Sequence, residues 1–168
     1  MSTRAVIARK AGDGFKGVYH HWDGYPTALG ATLFNLAQVT PLDELLETLI
    51  DKHPAGWSTI NDKDFSKAPR YVSIGALVQG NQPQCYCHGD RQEEANTLTE
   101  SNASEVGCEY AYVFDLEKRV LYVLGSFSGS KKMIGMFGMG DENAIWKCMS
   151  VVKLDEPEPN WKEIEEGV

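Results

Sequence analysis

Long apolar runs are missing from this sequence, and none approaches the roughly 20 residues needed to span a bilayer. Met1-Ser2-Thr3-Arg4-Ala5 does not read as the basic-then-apolar start of a secretory signal. A cytoplasmic location without membrane association is therefore expected, and thiols rather than disulfides. Positive charge is also in short supply. The 16 Lys+Arg against 24 Asp+Glu leave a net charge of −8 and a pI near 5.0, a balance that repels a phosphate backbone. No direct nucleic-acid contact is expected, whereas a basic protein surface would be attracted. Cysteine is scarce, with 4 in 168 residues, and no Cys-x₂₋₄-Cys pair of the kind that folds around zinc is present. Gly135-Met136-Phe137-Gly138-Met139-Gly140 lacks the Lys-Ser/Thr that completes a phosphate loop.

Hydrophobic residues at 42% and charged residues at 24% exclude disorder as the main state, and the length suits one domain. Alternation marks strands at 4–10 and 15–22, joined at Gly12-Asp13-Gly14 into an N-terminal hairpin. Two helices follow. The first begins after Pro26 with Leu29, Leu33, Leu36 and Ala37 on one side. The second has Thr40 as N-cap, Pro41 at its first position and an apolar stripe of Leu42, Leu45, Leu46, Leu49 and Ile50. Residues 55–69 read as loop, tacked down by Trp57 and Phe65, with strands at 70–78 and 84–88 and an exposed polar excursion over 89–106. A second hairpin, 109–115 with 120–124, and a strand within 144–154 complete the domain. The expected architecture is α+β, an antiparallel sheet built from hairpins and packed by a pair of central helices. It spans 1–154 and is followed by an acidic tail, 155–168, with a short helix around Trp161 and Ile164.

Chemistry concentrates in His21-Trp22-Asp23-Gly24-Tyr25-Pro26. In an extended chain His21 and Asp23 share a side, so the carboxylate can orient the imidazole for general-base work. Core packing of Trp22 and Tyr25 around a turn held by Asp23 is the competing expectation. Cys85-Tyr86-Cys87-His88 is a second cluster, because residues two apart on a strand face the same way; His88, Cys108 or Cys148 would complete a tetrahedron. The spacing lacks the turn that converges two sulfurs, so buried thiols are the expected account, with no metal and no cofactor.

Met1-Ser2-Thr3-Arg4 opening a hairpin, Tyr19-x-His21-Trp22-Asp23-Gly24-Tyr25-Pro26 and the Tyr110-Ala111-Tyr112-Val113-Phe114-Asp115 strand together resemble a family of small bacteriophage and bacterial proteins. His88-Gly89-Asp90-Arg91 loosely matches a further element of that family. The resemblance covers the first 26 residues and the 109–124 hairpin, implies a phage or mobile-element origin and carries over no catalytic mechanism. It leads to the expectation of an accessory protein that binds a host or phage protein without catalysis, docking an acidic surface on a basic one in an inhibitory manner. Trp22, Tyr25, Asp90, Arg91 and Tyr110 are the expected contacts. The alternative is a small enzyme or ligand-binding domain around His21, Asp23 and Tyr25. This alternative predicts a concave pocket where 20–26 and 109–115 meet, and it fails if His21 and Asp23 are buried in ordinary packing with no cavity beside them.

Overall fold

The computed structural model describes residues 3–60, 84–87, 94–126 and 146–166. The alternating small and branched side chains of Arg4–Ala11 form strand β1. Ala5 and Ile7 lie on one face, Val6 and Ala8 on the other, and all four are buried, as befits a strand covered on both sides. Gly12, at φ 59, makes the tight reversal into β2 (Gly14–His20), which pairs antiparallel with β1 from Ala5↔His20 to Ala11↔Gly14.

A π-helical turn, Pro26–Gly30, leads into α1 (Ala31–Val39), and Leu29, Leu33, Leu36 and Ala37 are all buried. The next helix, α2 (Leu42–Leu46), runs into a second π turn, Glu47–Asp51. Thr40 is not its N-cap. Thr40 instead closes α1, its N–H donating to the Leu36 carbonyl at 3.0 Å, and Pro41 occupies the capping position. Fixed φ and a missing N–H suit Pro41 to that place, and the Asp43 carboxylate accepts from the Glu44 N–H at 2.9 Å.

The remaining strands are β3 (Trp57–Thr59), β4 (Gln84–Cys85), β5 (Leu98–Thr99), β6 (Cys108–Asp115), β7 (Val120–Ser126) and β8 (Trp146–Lys153). A short helix, α3 (Trp161–Glu166), follows. One sheet runs β4-β3-β2-β1-β6-β7-β8, with β5 also against β2. The α+β class holds, and the sheet is mostly antiparallel, but β1–β6 and β2–β3 are parallel pairs. The N-terminal hairpin and the β6-β7-β8 meander are thus welded along β1 and β6 rather than through a hairpin.

Both faces of the sheet are buried. One carries Ala5, Val18, Tyr112, Phe114, Leu121 and Val123 against α1, α2 and α3. Trp161 of α3 is buried in that same core, its ring 6.2 Å from that of Phe34 at 68°. The opposite face carries Val6, Phe15, Val113, Leu124 and Trp146. Leu98 and Ala103 are buried there as well, so the segment expected to be an exposed excursion contributes β5 and a 3₁₀ turn, Ala103–Val106, to the core. Trp57, expected in a loop, begins a strand. The strand expected at 70–78, Phe65 and the glycine-rich 135–140 run lie outside the described residues. No helix among the described residues is long and apolar enough to cross a membrane.

Candidate functional site

The strand-to-helix junction after β2 is fixed from both sides. The Gly24 N–H donates to the Thr3 carbonyl at 2.8 Å, and the Gly24 carbonyl accepts from the buried Tyr112 hydroxyl at 2.6 Å. A Cβ at position 24 would stand 2.7 Å from the Thr3 oxygen and 2.8 Å from Ala5 Cβ, so only glycine fits this approach. Asp23, at φ 54, makes the preceding left-handed turn and is exposed. Pro26 is buried at the start of the first helical turn.

That geometry delivers Tyr25 to the end of β6. Tyr25 and Tyr110 line one cleft of about 470 Å³, with Thr3, Glu109, Met149 and Glu165 among its other walls. Two segments widely separated in sequence therefore meet in a shared concavity. Tyr110 is half-buried and stacks near Tyr112, with centroids 6.4 Å apart and planes 28° apart. Burial raises the Tyr110 phenol, and the Glu165 and Glu109 carboxylates raise it further, the electrostatic sign of an acidic enclosure. Glu165 is held in place through Oε1, which accepts from the Thr27 N–H at 3.1 Å and the Thr27 hydroxyl at 2.9 Å.

His21 and Asp23 are not walls of this cleft. His21 Nδ1 lies 2.6 Å from the Tyr19 hydroxyl. Burial raises the Tyr19 phenol, which keeps it protonated. Trp22 meets the His21 ring edge-on at 4.6 Å and is 48% exposed, so the expectation that it packs in the core is corrected. The cause is strand alternation combined with the end of β2: Trp22 lies past the last covered rung, though its N–H still donates to the Ser58 carbonyl at 3.1 Å.

Cys85 and Cys87 are both half-buried, and the imidazole that joins them is His53, from the turn before β3. Cys108 is buried on the opposite face of the sheet, where burial pushes its thiol up to about 12, and Cys148 packs there too. His88, Asp90 and Arg91 lie outside the described residues. Glu109, Glu165 and His53 went unnoticed in the sequence. Glu165 sits in the acidic tail, where a single carboxylate has nothing to distinguish it. His53 reads only as the end of a helix before a proline.

No family model, curated protein or solved structure matches the chain.

Proposed function

We propose that the chain is a non-enzymatic binding module that receives a basic side chain of a partner protein in the cleft between Tyr25 and Tyr110. The observation that carries this reading over the alternative is the make-up of the cleft: two tyrosines and two carboxylates, Glu109 and Glu165, line it, and His21 and Asp23 are not among its walls. An aromatic ring attracts a cation over its face, and the attraction strengthens where the ring is partly withdrawn from water. Carboxylates beside it add a Coulombic term that a half-enclosed site screens less than open surface does. The net charge of −8 extends the same preference to long range by steering a basic partner inward. A larger cleft of about 650 Å³ at the other end of β1 has mixed charge, and its Arg9 already pairs with Asp51 at 3.0 Å. It holds no comparable preference for one sign.

The motif resemblance adds a setting. On this reading the protein is a phage-type accessory factor of the cytoplasm that covers a basic surface of a host or phage protein and inhibits it.

A fluorescein-labelled Arg-rich peptide and its citrulline counterpart, followed by anisotropy, test the reading directly. The wild type is expected to bind the Arg peptide, to ignore the neutral one and to weaken as salt rises. Glu109→Lys/Glu165→Lys should abolish binding. A control of equal net charge, Glu44→Lys/Glu117→Lys at exposed positions, should retain most of it. Equal loss in the two double variants would reduce the effect to overall charge and sink the cleft as the site.

A further inference from the structure

A separate cluster stands at the far edge of the sheet. The π turn Glu47–Asp51 gives way to His53-Pro54-Ala55-Gly56, a reversal closed by the Gly56 N–H donating to the His53 carbonyl at 3.0 Å. Gly56, at φ 93, permits it; a Cβ there would meet the Tyr19 carbonyl at 2.5 Å. The chain leaves as β3, and β4 returns antiparallel beside it with Cys85 opposite Trp57. The Tyr86 N–H then donates to the Gly56 carbonyl at 3.0 Å, and the chain bends at Tyr86 and Cys87. This bend supplies the turn that the Cys-x-Cys spacing lacks. It brings the Cys87 sulfur back over the reversal, where it accepts from the Ala55 N–H at 3.1 Å. The outcome is that one nitrogen of His53 and the sulfurs of Cys85 and Cys87 all lie within 4.8 Å of one another.

We propose that His53, Cys85 and Cys87 form a binding site for a soft divalent metal ion, zinc in the first instance, and supply three of its coordinating atoms. Zinc bonds of about 2.0–2.3 Å to nitrogen and sulfur give tetrahedral edges of roughly 3.3–3.8 Å, so closure from a spread within 4.8 Å needs at most about 1.5 Å of movement. Cys87, in a bend rather than a ladder, is the residue placed to make it. The donor set selects the metal: two sulfurs and an imidazole favour zinc, whereas calcium and magnesium require oxygen ligands. Charge balance agrees. Two thiolates and a neutral imidazole around a dication sum to zero, which suits a site with a buried histidine, and the two thiol protons pass to solvent on binding.

The surroundings are those of a supported ligand shell. The Ala55 N–H aimed at Cys87 stabilises a thiolate. The Trp57 ring lies 4.4 Å from the His53 ring, and Trp57 is itself anchored by its Nε1–H to the Leu49 carbonyl at 2.9 Å. The imidazole is thereby held from one side by an immobilised aromatic plane.

Cobalt(II) is the probe. Full-length protein, stripped with chelator and kept reduced and anaerobic, is titrated with Co²⁺ while absorbance is followed. A thiolate-to-cobalt charge-transfer band with strong tetrahedral d–d bands is expected, saturating at one equivalent per chain and bleached by Zn²⁺. Cys85→Ser and Cys87→Ser should each remove about half of the charge-transfer intensity, one of two thiolates being lost. Cys108→Ser/Cys148→Ser should leave the spectrum unchanged. The proposal is overturned by absence of the band from the wild type, a measurement that needs no variant to fold. It is equally overturned if the band persists in Cys85→Ser/Cys87→Ser. Glu109→Lys/Glu165→Lys should not affect the cobalt spectrum, so this site and the basic-peptide cleft stand or fall separately.

Discussion

The Tyr112 hydroxyl donates a 2.6 Å hydrogen bond to the carbonyl of Gly24, joining β6, the inner strand beside β1, to the junction that starts the first helix. The bond is buried, and it joins the two segments that carry the motif resemblance. The Tyr25–Tyr110 cleft depends on it, because Tyr25 follows Gly24 directly and Tyr110 precedes Tyr112 by one rung on the same face.

Tyr112→Phe leaves the Gly24 carbonyl short of its donor and is expected to cost about 1–3 kcal/mol. Gly24→Ala drives a methyl into the Thr3 carbonyl and Ala5, and should cost more than the loss of the hydroxyl. Urea unfolding of both variants checks the order. A Gly24→Ala protein as stable as the wild type would show that the junction relaxes and that the cleft is not rigidly built.

The path from sequence to fold explains which parts were legible. β1 and β6 announce themselves because each runs for 8 residues with both faces apolar, and the Leu42–Leu49 stripe does so because its spacing is helical. The β1–β6 pairing leaves no local mark: two such strands read alike whether they end up side by side or apart, and parallel partners lie far apart in sequence. β3, β4 and β5, at 2 or 3 residues each, are too short for alternation to register. Tyr25 and Tyr110 were legible as candidates from chemistry alone, but their companion Glu165 was not, since its place depends on α3 docking beside Thr27. The Cys85 and Cys87 pair was visible, whereas His53 joins it only once β3 and β4 are paired.

His20 carries a pH dependence with a definite sign. It is buried on the helix-covered face, and neither ring nitrogen has a hydrogen-bond partner among the described residues. Burial, assisted by the neighbouring His21, lowers its pKa to about 3, against 6.5 for an exposed imidazole. Between these values the unfolded chain takes up a proton that the folded chain refuses. Stability is therefore complete above about pH 6.5 and falls as the pH drops toward 3, by up to about 1.4 kcal/mol per pH unit. His20→Leu removes the titrating group without orphaning a partner. Its stability, measured by denaturant between pH 4 and pH 7 (roughly the range over which the difference develops), should fall less steeply than that of the wild type. Parallel curves for the two proteins would assign the acid sensitivity elsewhere.

Trp161 tests whether the acidic C-terminal segment is part of the folded unit. Its ring is buried against Phe34, its Nε1–H donates to Glu158 at 3.0 Å, and the ring fills the space beside Gly30. Trp161→Ala is expected to cost about 3–5 kcal/mol, the range for deleting a large buried aromatic. Differential scanning calorimetry reads this as a single transition at lower temperature. Loss of under about 1 kcal/mol would mean that α3 contributes little and that the segment behaves as a tail.

Trp22 offers the complementary case, because it belongs to the same motif as Gly24 yet faces solvent. Its ring touches His21 edge-on and is otherwise half exposed, so Trp22→Ala should shift stability by less than about 1 kcal/mol. Trp57→Ala, at a buried position, should cost several times as much. Since Trp22 is not a wall of the Tyr25–Tyr110 cleft, Arg-peptide affinity should also be unchanged in Trp22→Ala. The two measurements divide the motif by physical role. Gly24 and Pro26 set the path of the chain, Tyr25 supplies a wall of the cleft, and Trp22 presents aromatic surface outside it. A large stability loss on removing Trp22 would contradict this division and place the indole among the residues that hold the junction together.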